Sequence, residues 1–220
     1  GVDGSNLAGQ PRSPRPVREE MIDGTNPFFV RDLNKCILCG RCVRLCREVM
    51  GYGAVDFTSR GSTTKVTTAF DVPLEESPCV FCGNCVTICP TGALQPKQGK
   101  GRGRAFQFDR VLTICPYCGV GCSIYLHVRN GRIIASSAAD GPANRGLVCV
   151  KGHFGNDWIQ SPERLTSPLV RNADGEFERT SWDKALSLVA STLNEVKKQH
   201  GPDAIGGLAS AKCTNEENYL

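Results

Sequence analysis

Twelve of the thirteen cysteines in this 220-residue chain fall into three groups, and no other feature restricts its fold so strongly. The first two groups are Cys36, Cys39, Cys42, Cys46 and Cys79, Cys82, Cys85, Cys89. The third is Cys115, Cys118 and Cys122, joined by Cys149 after 26 further residues. Disulfide partners are usually scattered along a chain, whereas thiols two residues apart suit a metal centre. Such thiolates must stay reduced, which points to the cytoplasm. Composition agrees: 40% hydrophobic and 22% charged residues describe a globular chain of one to three small domains. No run approaches the roughly 18 apolar residues that span a bilayer, and Gly1 to Gln10 has neither the charged nor the apolar region of an export signal. The chain is therefore expected to be soluble, with no membrane segment. A net charge of +4 is spread along the sequence. Its densest basic run, Lys97 to Arg104, is Gly-rich and without aromatics, which speaks against nucleic-acid binding.

The first two groups share the spacing C-x2-C-x2-C-x3-C, and Pro90 follows the second copy directly. Three thiolates on one tight loop reach three corners of a single cubane, and the fourth corner must come from elsewhere. In this motif the fourth Cys serves the other cluster. Cys36, Cys39, Cys42 and Cys89 are thus expected to hold one 4Fe-4S cluster, and Cys79, Cys82, Cys85 and Cys46 another. Gly40 and Gly83, lacking side chains, let backbone N–H groups approach the sulfurs. Structural zinc is the competing reading, since C-x2-C is also a zinc signature. Zinc needs four ligands, commonly as two separated pairs, so two identical four-Cys copies fit it poorly.

Around these motifs the chain divides readily. Residues 1–27, rich in Gly, Pro, Ser and Arg, read as an extended connector, 28–94 as the two-cluster domain and 95–107 as a linker. Within 28–94, Lys65 to Phe70 alternates like a strand. Beyond the linker, Ser123 to Arg129 and Arg132 to Ser137 flank Asn130-Gly131, the strongest short hairpin signal. From Ser181 to His200 the positions Trp182, Ala185, Leu186, Val189, Leu193 and Val196 recur at helical spacing, with Ser181 as N-cap and Gly201-Pro202 as the stop. Ala204 to Ser210 reads as a buried strand. Thr214-Asn215-Glu216-Glu217 has the form of a capping box opening a further helix, so the chain is expected to be a piece of a longer polypeptide.

Residues 28–94 resemble the two-cluster ferredoxin module of many electron-transfer subunits. The third group, Cys115-Pro116-Tyr117-Cys118-Gly119-Val120-Gly121-Cys122 with Cys149-Val150-Lys151-Gly152, resembles the N-terminal 4Fe-4S domain of the molybdopterin oxidoreductase superfamily. Asp157-Trp158-Ile159, Ser161-Pro162-Glu163-Arg164-Leu165, Pro168-Leu169, Ser181-Trp182-Asp183-Lys184-Ala185 and Ala209 to Tyr219 continue the likeness. Two ferredoxin-type clusters ahead of this domain resemble soluble NAD- or ferredoxin-linked formate dehydrogenase catalytic subunits.

The resemblance implies an α+β protein: the two-cluster 4Fe-4S ferredoxin-like module, a 4Fe-4S domain over 108–165, and over 166–220 the start of the molybdopterin-binding α/β body. It implies a third 4Fe-4S cluster on Cys115, Cys118, Cys122 and Cys149, with Lys151 lying between that cluster and the pterin and helping electrons pass between them. It also implies a Mo- or W-bis(pterin guanine dinucleotide) in the full-length protein, formate and CO2 as substrates, and flavin- or NAD(P)-binding or hydrogenase iron-sulfur subunits as partners. No catalytic residue falls within the chain, because the active-site Cys or selenocysteine would lie beyond Leu220. Cys213 reads as an ordinary buried thiol. A non-catalytic relay subunit of a hydrogenase or NADH dehydrogenase-type complex is the alternative.

Overall fold

The computed structural model describes residues 22–213 and 215–220. They form two compact units, divided between Lys100 and Gly101. Among the described residues no helix is long and apolar enough to cross a membrane.

The first unit is built on a small antiparallel sheet in the order β1-β2-β5, from strands Ile22–Asp23, Phe29–Asp32 and Leu94–Pro96. The turn between β1 and β2 is organised by Asn26, whose Oδ1 accepts from the N–H groups of Phe28 (2.8 Å) and Phe29 (3.1 Å). Each cysteine copy then enters a short helix, α1 (Arg41–Arg44) and α2 (Asn84–Ile88). A second hairpin, β3 (Asp56–Thr58) with β4 (Lys65–Thr67), lies between them. Phe29, Val43, Ala54, Val66, Leu74 and Ala93 are buried, and all of these but Val43 line the wall around the cysteines. The strand expected over Lys65 to Phe70 ends at Thr67. The backbone turns sharply through Phe70 (φ 56°) and Asp71 (φ 59°), and the Phe70 ring is fully exposed.

The second unit is built on a three-stranded meander, β6 (Asp109–Ile114), β7 (Ser123–Arg129) and β8 (Arg132–Ala138). Asn130 and Gly131 turn with φ of 52° and 71°, the two positive values that a two-residue hairpin of the right twist requires. The short helix α3 (Val150–Phe154) follows Cys149 directly. Cys115, Ile124 and Val148 form the core, with Tyr117, Cys122, Leu126 and Ala138 packed against it.

The hairpin β9 (Leu169–Arg171) with β10 (Phe177–Arg179) leads to α4 (Trp182–His200). Ser181 caps α4 by accepting from the Lys184 N–H at 3.3 Å, and Gly201 stops it with φ 85°. The amphipathic period of α4 is as its sequence implies, yet Trp182, Leu186, Val189 and Leu193 remain exposed. Ala204 to Ser210 forms no strand. Pro202–Ala204 closes a 3₁₀ turn and the stretch beyond it is irregular and largely exposed. Helix α5 (Asn215–Tyr219) follows; its expected cap, Thr214, lies outside the described residues, as do residues 1–21 of the expected connector.

Candidate iron-sulfur centres

The two copies present their thiols to two cavities. One, of about 30 Å³, includes among its cysteines only Cys46, Cys79, Cys82 and Cys85. The other, of about 60 Å³, is lined by Cys36, Cys39, Cys42 and Cys89, with Cys46, Cys79 and Cys85 on the side toward the first. Apolar groups including Ile37, Val55, Val66 and Leu74 complete its wall. The electrostatic neighbours divide the same way. Burial pushes the Cys42 thiol up to about 11, helped by Cys36 and more weakly by Cys39 and Cys89. Burial also raises Cys85, whose charged neighbours are Cys82, Cys79, Cys42 and Cys46. Cys42 and Cys85 therefore mark the seam between the two sets.

The loops are wound to aim donors inward. Cys36 to Gly40 and Cys79 to Gly83 repeat one conformation: Leu38 and Phe81 have φ of 57° and 54°, and Gly40 and Gly83 follow at 70° and 81°. Glycine takes this region freely, but a bulky residue there is strained by about 1–3 kcal/mol. Such turns gather backbone N–H groups into a concavity for an anion. The Phe81 N–H reaches Cys79 Sγ at 3.4 Å, and the Ala54 N–H reaches Cys46 Sγ at 3.4 Å. Around Cys89 burial is the largest influence and raises the thiol. The backbone N–H groups of Thr91, Leu94 and Ala93, with the Thr91 hydroxyl, outweigh it and leave Cys89 lowered.

The fourth thiols arrive by different routes. After α1 the helix widens into one π turn, Leu45–Val49, carrying Cys46. In the second copy α2 ends at Ile88 and Cys89 is extended (φ −70°, ψ 118°), since Pro90 disfavours a helical residue before it.

In the second unit Cys115 is buried, and its N–H donates to the Cys122 carbonyl at 2.8 Å. Burial raises Cys115 and Cys122, and both have Cys118 and Cys149 as charged neighbours. All four expected thiols of this group are thus assembled. Asn144 fastens the long return to Cys149: its Oδ1 accepts from Ser123 N–H (3.0 Å), and its amide donates to the carbonyls of Ser123 (3.2 Å) and Ala139 (2.9 Å). Lys151 stands at the start of α3 with its ammonium 5.2 Å from the centre of the Tyr117 ring, and it is a charged neighbour of Cys115, opposing only weakly the burial that raises that thiol. The Tyr117 hydroxyl donates to the Gly155 carbonyl. Cys213 is only half-buried, against the expectation of a buried thiol.

Among the described residues no three His, Cys, Asp or Glu side chains are placed to hold a single metal ion. Thiolates around one tetrahedral zinc would stand about 3.8 Å apart at the usual Zn–S length. The sets enclose a volume instead, which fits a multi-atom iron-sulfur core. Asn144, Tyr117, Leu38, Phe81 and the buried Arg31–Asp23 pair had no signal in the motifs.

Cavities lined by thiols and backbone donors suit an iron-sulfur electron-transfer protein, and family comparisons say of which kind. Residues 109–161 match the molybdopterin oxidoreductase Fe4S4 domain, and residues 164–220 match molybdopterin oxidoreductase. Residues 26–95 match the ferredoxin-like domain of NADH-quinone oxidoreductase subunit 3. The chain belongs to the molybdopterin oxidoreductase family.

It is 40% identical over 194 residues to the NADPH-Fe(3+) oxidoreductase subunit alpha of Geobacter sulfurreducens, covering 88% of this chain and 22% of the relative. A probable oxidoreductase of Bacillus subtilis is 35% identical, over 90% of this chain and 24% of its own length. A candidate formate dehydrogenase of Staphylococcus aureus is 36% identical, over 88% and 24%. The chain thus spans about a quarter or less of the length of these relatives. A solved NAD+-reducing nickel–iron hydrogenase chain aligns over 40% of this chain and 38% of its own at 28% identity, with a TM-score of 0.36.

Proposed function

We propose that this chain is the iron-sulfur electron-transfer portion of a molybdenum- or tungsten-dependent formate dehydrogenase catalytic subunit. Three 4Fe-4S clusters are held, on Cys36, Cys39, Cys42 and Cys89, on Cys79, Cys82, Cys85 and Cys46, and on Cys115, Cys118, Cys122 and Cys149. The observation that supports the cluster reading is that Cys46 joins Cys79, Cys82 and Cys85 in the smaller cavity, which Cys89 does not line, while Cys89 is a neighbour of Cys42 in the larger one. The formate assignment is supported by the match to the pterin-binding family model over 164–220 and by the Staphylococcus aureus relative.

Bound clusters supply one-electron storage; a Mo- or W-bis(pterin guanine dinucleotide) in the complete protein supplies formate oxidation to CO2. The residues of this chain hold, orient and insulate. The thiols fix each centre, Val66 and Leu74 exclude water, and the inward N–H groups offset negative charge. Lys151 places a positive charge beside Cys115, at the exit from the pterin side. Flavin- or NAD(P)-binding or hydrogenase subunits receive the electrons. The relative from Geobacter sulfurreducens favours a second reading, in which the same wire carries electrons drawn from NADPH.

Anaerobic purification of the full-length protein tests both parts. About twelve irons and as many acid-labile sulfides are expected per chain, with dye reduction by formate. Little iron after reconstitution removes the cluster reading; full iron with NADPH-driven and no formate-driven reduction replaces formate dehydrogenase by the second reading. Lys151→Ala is expected to keep all the iron and slow electron delivery from formate to acceptor about tenfold, equivalent to a barrier rise of ~1.4 kcal/mol. Unchanged rapid-reaction rates would make Lys151 a surface lysine.

A further inference from the structure

Two arginines line the larger cavity, Arg41 exposed and Arg31 buried, and the cysteine motifs do not announce the buried one. Arg31 lies on β2, where it pairs with Asp23 of β1 on one side and with Leu94 of β5 on the other. Its side chain is only 9% exposed and that of Asp23 8%, and the two stand 3.2 Å apart as an ion pair. Asp23 Oδ1 is held by the Thr25 N–H (3.0 Å) and hydroxyl (2.8 Å), which fixes the carboxylate behind the guanidinium. Nη1 of Arg31 donates to Thr67 Oγ1 at 3.3 Å. Geometry leaves Asp23 Oδ2 without an aligned hydrogen bond, and Arg31 Nε has none.

Arg31 lines the larger cavity together with Cys79 and Cys85, and it is a charged neighbour of Cys79. A buried cation there is weakly screened, and arginine stays protonated at any working pH. An ion pair removed from water contributes little to stability compared with well-packed apolar residues, so its presence in this wall calls for another reason.

We infer that Arg31 is a positioning residue for electron transfer: its buried charge, moderated by Asp23, holds up the reduction potential of the centre on Cys46, Cys79, Cys82 and Cys85. The inference rests on the cluster reading above. Reduction adds one negative charge to the centre that Cys79 ligates, and a fixed cation beside that thiol stabilises the added charge more than the oxidised form. Removing the cation makes reduction harder. Removing the partner carboxylate makes it easier. Asp71, a further charged neighbour of Arg31, lies mostly toward solvent and is tied to Lys65 and Thr67, so it moderates the field less.

Redox titration of the full-length, reconstituted protein followed by electron paramagnetic resonance tests this, with Cys82→Ser identifying the signal of the centre concerned. Arg31→Gln is expected to lower the reduced-to-oxidised ratio of that signal about tenfold at fixed potential, a shift of about 59 mV downward for a one-electron couple. Asp23→Asn is expected to shift it upward by a comparable amount, and Arg31→Lys to restore most of the wild-type value. The signal of the centre on Cys115, Cys118, Cys122 and Cys149 should not move.

Opposite signs for the two single variants support the inference. Ratios within twofold of wild type in both, or shifts of the same sign, overturn it while the clusters themselves remain visible. If Arg31→Gln does not fold, the sign of the Asp23→Asn shift decides alone. Wild-type protein with no iron and no signal would remove the cluster reading itself, a result distinct from unshifted signals.

Discussion

Cys149→Ala will purify with about four fewer irons per chain than the parent protein, about eight in place of about twelve. Cys149 is the fourth thiol of its group and the only one contributed from outside the Cys115 to Cys122 loop. It is also exposed and precedes a short helix, so its loss leaves the buried core of Cys115, Ile124 and Val148 intact. The two centres of the first unit share no ligand with it. Their resonance signals should persist, while on the formate dehydrogenase proposal electrons from formate no longer reach them. Iron and sulfide analysis beside dye-linked and partner-linked assays would check the outcome. An unchanged iron content would show that Cys149 is not a ligand.

Asn144→Ala will open the same centre from behind. Two hydrogen bonds from one buried side chain join the return loop to Ser123 at the start of β7, immediately after Cys122, and a third joins it to Ala139 just past the end of β8. Alanine leaves the Ser123 N–H and the Ala139 carbonyl without their side-chain partner. A buried group stripped of its partner costs about 1–3 kcal/mol, so a loss of about 3 kcal/mol is expected for the site. Hydrogen exchange at the Ser123 amide should accelerate about a hundredfold, since each ~1.4 kcal/mol is a factor of ten. Asn144→Asp, which keeps the acceptor for Ser123 and loses both donors, should fall between. Exchange at the parent rate in Asn144→Ala would show that the loop is held by other contacts.

Much of this arrangement was legible because cysteine spacing and turn chemistry are local. Tight thiol loops, the Asn130-Gly131 hairpin and the Ser181-to-Gly201 helix are each specified by residues within a few positions of one another. The exchange of Cys46 and Cys89 is expected from a geometric limit on what one loop can ligate; Cys46 lines the smaller cavity with the second copy, and it lines the larger one as well. What sequence reasoning missed is non-local or conformational. Arg31 and Asp23 face each other across a strand pair whose register no motif encodes. Asn144 acts through a carbonyl 21 positions earlier in the chain, that of Ser123. The strand expected at Ala204 to Ser210 was read from apolar composition, which gives no information on whether a neighbouring edge is present. Identical spacing in the two cysteine copies likewise concealed a difference. Pro90 forbids the helical turn that Leu45–Val49 makes, so the copies match in register but not in backbone.

Leu38 and Phe81, each wound into a left-handed turn that their side chains resist, bear on how the first unit behaves when newly made. A bound anionic core would draw the amides inward and offset that strain, so loading favours the shape the loops already hold. Glycine in their place would take the same turn without the strain. The empty unit would then be sturdier, and would gain less from being filled.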